Sequence, residues 1–269
     1  MLLLLSVLNF YSIQKDVRYV SGIFLNYTAI KIWQITVIIL LQSKAFYDII
    51  LAKLRFHIGE YANLNDEIFK TQGLIFNNQI HYKDLTVPAG VVTFVIGKNG
   101  SGKTTLFKLF NKTLTPSDGN ILYLGRQLSE FDPITLRKEV SLISQSVYLF
   151  DSNIKENFDL FYSFRAKKPL DDEEIKKYLD ICCLDFPLNG DCKVLSGGER
   201  QRVYIAIYLS LLPRVILLDE PTSSLDDDNS YKVVENIILF CKINGITPII
   251  ISHDNKVVSK FSENIVRIG

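Results

Sequence analysis

The sequence predicts an α/β fold in which a mainly parallel β-sheet lies between helices. Runs of apolar, largely β-branched residues occur at 91–96 (VVTFVI), 140–144 (VSLIS), 215–219 (VILLD) and 246–252 (ITPIIIS), with a shorter one at 74–76 (LIF). Nearly continuous apolar runs mark strands buried on both faces, because a strand with one wet face alternates polar and apolar residues. Helix-length segments of mixed polarity separate the runs, as a parallel sheet with crossover helices requires. Between VVTFVI and LFKLF (106–110) stands Gly97-Lys98-Asn99-Gly100-Ser101-Gly102-Lys103-Thr104-Thr105, a glycine-rich turn where a strand passes into a helix.

Taken from the N-terminus, the texture begins differently. Met1 to Phe10 is almost wholly apolar but lacks a basic n-region and a small-residue cleavage site, which argues against a secretory signal. Between Ser21 and Ser43 the only charge is Lys31, over about the 20 residues that a spanning helix needs. A central lysine opposes insertion by about 2.5–3.5 kcal/mol unless it faces other helices or snorkels. Lys44, Lys53 and Arg55 follow, and the positive-inside rule places that end in the cytoplasm. Residues 1–56 are therefore expected to be a helical, membrane-associated segment, with Met1 to Ser12 a candidate part of a second helix. A buried or amphipathic helix of a soluble protein is the alternative. Residues 57–72, polar and mixed, read as a linker, and 73–269 as the α/β domain.

Global composition excludes some function classes. A net charge of +1 with 22% charged residues offers no basic field of the kind nucleic acid requires, so no nucleic-acid partner is expected. Cys182, Cys183, Cys192 and Cys241 have neither metal-ligand spacing nor a disulfide framework, and read as free thiols in a reducing compartment.

The turn at 97–105 fits the phosphate-loop pattern G-x-x-x-x-G-K-[ST]. Its glycines let backbone N–H groups converge on phosphate oxygens, and the helix N-terminus adds a positive dipole end. Lys103 is expected at the β- and γ-phosphates and the Thr104 hydroxyl on Mg²⁺. VILLD ends in Asp219, a carboxylate placed to hold the metal. Glu220 follows at once, placed to orient or deprotonate an attacking water. A further apolar run ends in Ser252-His253.

LSGGERQR at 195–202 resembles the signature of the ATP-binding-cassette (ABC) ATPases, and LLDEPTSSLD at 217–226 is similar to their metal-binding strand and aspartate loop. Gln145 in LISQS resembles the family's glutamine loop, and His253 in IISHD its switch histidine. All five elements stand in family order over about residues 70–269. The resemblance implies a P-loop nucleoside triphosphate hydrolase fold, an ABC ATPase core with a small helical subdomain at about 146–200. It implies ATP and Mg²⁺ as cofactors. Ser196, Gly197, Gly198 and Glu199 open a helix and form a second phosphate-binding turn. The resemblance gives that turn to ATP held by a partner subunit, so that a homo- or heterodimer sandwiches two ATPs. By the same resemblance Gln145 contacts Mg²⁺ and the attacking water and couples to a membrane-domain partner, His253 holds the γ-phosphate, and Asp226 signals across the dimer. Adenine stacks on an aromatic upstream of the phosphate loop, for which Phe76 and Tyr82 are both candidates.

SVYLFDSNIKENF at 146–158 resembles a segment of exporters with fused membrane and ATPase domains, and LQSKAFYDIILAKL resembles the exit from their membrane domain. The expected reading is the C-terminal part of an exporter at the cell membrane, its ATPase domain on the cytoplasmic side. A non-transport ATPase of the same fold, or a remnant that binds ATP without driving transport, is the alternative.

Overall fold

A computed structural model describes residues 67–221 and 227–269, with the backbone alone at 227–230. The expected helices at 1–56, most of the expected linker and Asp226 lie outside these residues. Among the described residues no helix is long and apolar enough to cross a membrane.

The chain opens with β1 (Glu67–Phe76), β2 (Ile80–His81), β3 (Thr86–Pro88) and β4 (Thr93–Gly97). After α1 (Lys103–Phe110) come β5 (Asp118–Tyr123), β6 (Arg126–Gln127), α2 (Pro133–Glu139) and β7 (Val140–Ile143). Then follow α3 (Ile154–Phe164), α4 (Asp172–Ile181), α5 (Gly197–Ser210) and β8 (Val215–Asp219). The chain closes with α6 (Asp227–Asn244), β9 (Thr247–Ile251), α7 (Asn255–Phe261) and β10 (Asn264–Ile268).

Five strands form a parallel sheet in the order β10-β4-β9-β8-β7. Every residue of β8 and β9 is buried, and the period-2 geometry of a strand divides them between two apolar layers. Phe94, Ile143, Ile216, Leu218 and Ile250 face a layer built from α3 to α7. Val95, Val140, Val215, Leu217, Ile249 and Ile251 face the opposite layer, which contains α1, α2 and an antiparallel sheet. That second sheet, β2-β1-β5-β6 with β3 also on β1, is not foreshadowed in the sequence.

Residues 67–72, expected in the linker, are instead the first part of β1. They pair with β3 on one side and β5 on the other, so backbone bonding holds a segment whose side chains are mixed. Run 74–76 likewise belongs to the antiparallel sheet. Phe69 of β1 is fully buried and stacks on Phe110 of α1, ring centroids 4.2 Å apart and planes nearly parallel. The antiparallel sheet thereby grips the helix that follows the phosphate loop.

Helix starts follow local chemistry. The Asn153 side chain accepts from the Glu156 N–H at α3, and Asp132 caps α2 with Pro133 at its first position. Asp171 with Glu174, and Ser196 with Glu199, form capping boxes on α4 and α5. All four cysteines are free, and Cys182, Cys192 and Cys241 are buried.

Replacing Phe69 or Phe110 by alanine is expected to cost about 3–5 kcal/mol of unfolding free energy each. Urea unfolding of both single mutants and the double mutant should give a coupling of about 0.5–1.5 kcal/mol from the ring pair.

Candidate functional site

The phosphate loop leaves β4 at Gly97 and enters α1 at Lys103. At Gly97 the neighbouring β10 approaches so closely that a Cβ would lie 2.2 Å from the Ile268 carbonyl oxygen, which requires glycine. Gly102, the N-cap of α1, has φ 97°, and no side chain caps the helix there. The first N–H groups of α1 are thus left without a side-chain partner, as an anion site needs. The Lys103 ammonium is folded onto the loop itself, donating to the carbonyls of Gly97 and Lys98 at 2.9 Å each. Ser101 Oγ is buried without a hydrogen-bond partner.

Tyr82 takes a role the sequence did not signal. Its hydroxyl donates to the Gly102 carbonyl at 2.9 Å, and its ring is buried. Burial pushes its hydroxyl pKa up to about 12, the Thr105 hydrogen bond opposing. Of the two aromatics expected for adenine, Tyr82 is committed to the start of α1, while Phe76 remains half-buried at the end of β1.

The Thr104 hydroxyl donates to Asp219 Oδ2 at 2.8 Å, joining the loop to the end of β8. Asp219 is buried, and burial raises its carboxyl above the usual carboxylate range, with the Thr104 bond opposing and the Glu220 charge adding. Among the described residues no group of three or more His, Cys, Asp or Glu converges as a metal cage. The paired oxygens of Thr104 and Asp219 nevertheless fit Mg²⁺, which is commonly held by one or two protein oxygens together with waters and substrate phosphates.

Glu220 stands one residue further, in an unusual backbone state. Its φ is 51°, the left-handed region that costs a non-glycine residue about 1–2 kcal/mol. Pro221 follows and disfavours the right-handed helical alternative. The Glu220 N–H donates to the Ile251 carbonyl at 3.1 Å. Its carboxylate lies between two other expected site residues: His253 Nε2 is 3.1 Å from Oε1, and Gln145 Nε2 donates to Oε2 at 3.4 Å. The structure thus brings Lys103, Thr104 and Asp219 together, and gathers Gln145 and His253 around Glu220.

The turn at 196–199 is a separate feature. Glu199 Oε2 accepts from the Ser196 N–H and hydroxyl, both at 2.8 Å, and these bonds lower the Glu199 carboxyl pKa. Gly197 is exposed, and a Cβ there would meet nothing within 4 Å. Two further α5 residues reach away from this turn. Gln201 is buried and donates to the Glu220 carbonyl at 3.3 Å. The Arg200 guanidinium donates to the carbonyls of Cys192 and Leu149. Within 146–158, Asn157 is fully buried. It accepts from the Phe150 N–H at 2.8 Å and donates to the carbonyls of Phe150 and Asn153 and to Ser152 Oγ.

The ABC transporter family profile matches residues 80–223, just over half of the chain. Protein STAR1 of Oryza sativa subsp. japonica is 36% identical over 181 residues, covering 67% of this chain and 52% of that protein, so the chain spans about half its length. The phosphate import ATP-binding protein PstB of Saccharolobus solfataricus is 33% identical over 209 residues, covering 71% and 80%. Among solved structures, CbiO1 from Clostridium perfringens, part of the ABC transporter complex cbiONQ, superposes with a TM-score of 0.66. It is 28% identical, and the match covers 76% of this chain and 85% of that one.

The raised Asp219 carboxyl carries a stability consequence of definite sign. A carboxyl whose folded pKa exceeds its unfolded one contributes stability below the unfolded value and loses it as pH rises through the folded value. Asp219→Asn should therefore raise the melting temperature of the nucleotide-free protein at pH 7. The difference should close as pH falls toward the ordinary carboxylate range, which thermal unfolding at several pH values will check.

Proposed function

The chain belongs to the ABC transporter family and is an ABC-type ATPase with that family's α/β phosphate-loop fold, and from that premise we propose that it hydrolyses ATP, as a dimer, to power transport across a membrane. The observation that carries the reading is the convergence of Gln145 and His253 on the Glu220 carboxylate, one residue beyond the Asp219–Thr104 pair.

Phosphoryl transfer asks a protein mainly for positioning and for charge stabilisation. Residues 97–105 receive the phosphates through backbone N–H groups. Lys103 trades its two loop carbonyls for phosphate oxygens, and Ser101 Oγ gains the partner it lacks. Thr104 and Asp219 would hold Mg²⁺, which would supply charge neutralisation at the phosphates. As water attacks the γ-phosphorus and the bond to the bridging oxygen of the departing ADP breaks, Glu220 accepts the water's proton, Gln145 orients that water and would be a further ligand for the metal, and His253 holds the γ-phosphate. Phe76 takes the adenine ring, since Tyr82 is engaged with Gly102.

Ser196, Gly197, Gly198 and Glu199 serve the ATP of a second subunit, identical or not. An exposed helix N-terminus suits this, and the Ser196 hydroxyl exchanges Glu199 for phosphate. Asp226 acts across the same dimer. Gln145 and the loop after it face a membrane-domain partner, and the charges of Lys44, Lys53 and Arg55 support an ATPase on the cytoplasmic side of the cell membrane. The likeness of 146–158 to fused exporters supports export, although relatives named for import are among the matches.

Glu220→Gln should lower turnover by at least about a hundredfold, the scale of a lost general base, while ATP still binds and the dimer persists. An ATPase assay paired with size-exclusion chromatography in Mg²⁺–ATP checks this, and unchanged turnover overturns the assignment. For the N-terminal segment, the full chain should stay with membranes after an alkaline wash. Its release into the soluble fraction would refute a spanning helix in residues 1–56.

A further inference from the structure

We propose that Gln201 is a positioning residue for hydrolysis: its side-chain amide fixes the backbone of Glu220 and so aims the carboxylate between Gln145 and His253. The inference rests on the reading of Glu220 as the base.

Gln201 lies in the second turn of α5 and is only 3% exposed. A buried amide must find partners, and its Nε2 donates to the Glu220 carbonyl oxygen at 3.3 Å. On the other side of the same α-carbon, the Glu220 N–H donates to Ile251 in β9 at 3.1 Å. The two peptide groups flanking Cα of Glu220 are thus held by different elements, one by α5 and one by the central sheet. Left-handed backbone at a non-glycine residue persists only where the surroundings over-determine it, and these bonds account for the φ of 51°. Release of the carbonyl would let φ relax. The carboxylate, 3.1 Å from His253 and 3.4 Å from Gln145, would lose its alignment.

The helix that makes this bond is also the one that opens with Ser196 to Glu199. Arg200, one residue before Gln201, donates to the Leu149 carbonyl in the loop that leaves Gln145. Consecutive α5 residues therefore hold the backbone beyond Gln145 and the backbone of Glu220. A displacement at the start of α5 reaches the carboxylate through Gln201 within one subunit, without crossing to another.

The test uses Gln201→Met, which keeps length and volume but has no donor, and Gln201→Asn, whose amide stops one methylene short. Both should lower kcat about tenfold to a hundredfold, the scale of a misplaced catalytic group, with KM for ATP and melting temperature near wild type. In the Glu220→Gln background neither substitution should lower turnover further. Wild-type kcat in both variants, parallel loss of ATP affinity and melting temperature with kcat, or multiplying effects in the double mutants would each overturn the proposal. If Glu220→Gln itself leaves turnover intact, the base assignment falls and this role with it. If Glu220→Gln is inactive while both Gln201 variants are not, only the positioning role falls.

Discussion

Parallel hydrogen bonding of the central strands is the constraint on which the rest of the structure depends. Register aligns Ile143, Leu218, Ile250 and Phe94 in one row across β7, β8, β9 and β4. All four are buried in the same apolar layer, so a slip of one residue in any strand would turn its apolar set toward the wrong layer. Within three residues beyond this row each strand runs out into a candidate site residue: Gln145, Asp219 with Glu220, His253, and the glycine that opens the phosphate loop. Parallel direction brings all four exits to one edge. An antiparallel neighbour would have carried its exit to the far side of the domain.

This explains which parts were legible in the sequence. The strands that set the row are apolar on both faces, and their runs at 91–96, 140–144, 215–219 and 246–252 matched β4, β7, β8 and β9 closely. The antiparallel sheet was not legible because β2, β3 and β6 have only two or three residues, and of β1 only the apolar run 74–76 was visible, its residues 67–72 being held by pairing on both edges. β10 escaped because Asn264 to Ile268 buries only Val266 and Ile268. Motif residues could be named from spacing, but their mutual bonds could not. Gln145 and Glu220 are 75 residues apart in sequence, and Gln201 reaches the Glu220 carbonyl across 19, through side chains whose directions only packing decides. Tyr82 was visible as an aromatic near the loop, yet nothing in the sequence distinguished stacking on a base from bonding to Gly102.

The departures from ordinary stability rules gather in the same place. Glu220 has left-handed backbone, Asp219 is a buried carboxyl raised by desolvation, Ser101 Oγ is buried without a partner, and the Lys103 ammonium rests on carbonyls. Each costs free energy in the free protein, and each lies between the end of β4 and the start of α1 or at the end of β8 and the residue after it. Such a cluster persists because the surrounding layers are rigid: the row beneath it is buried, and Phe69 holds α1 from the opposite side. A bound polyphosphate with its cation would relieve three of the four costs at once, giving Lys103 an anion, Ser101 a partner and Asp219 a counter-charge. Glu220 is different, because its backbone partners in this structure, the Ile251 carbonyl and the Gln201 amide, belong to the protein itself. Its strain is sustained by protein–protein bonds alone, from β9 and from α5, and it therefore depends on how α5 sits. The residue proposed to take the proton is thus the one whose backbone is held by protein groups on two elements, and the helix that opens with Ser196 to Glu199 is one of them.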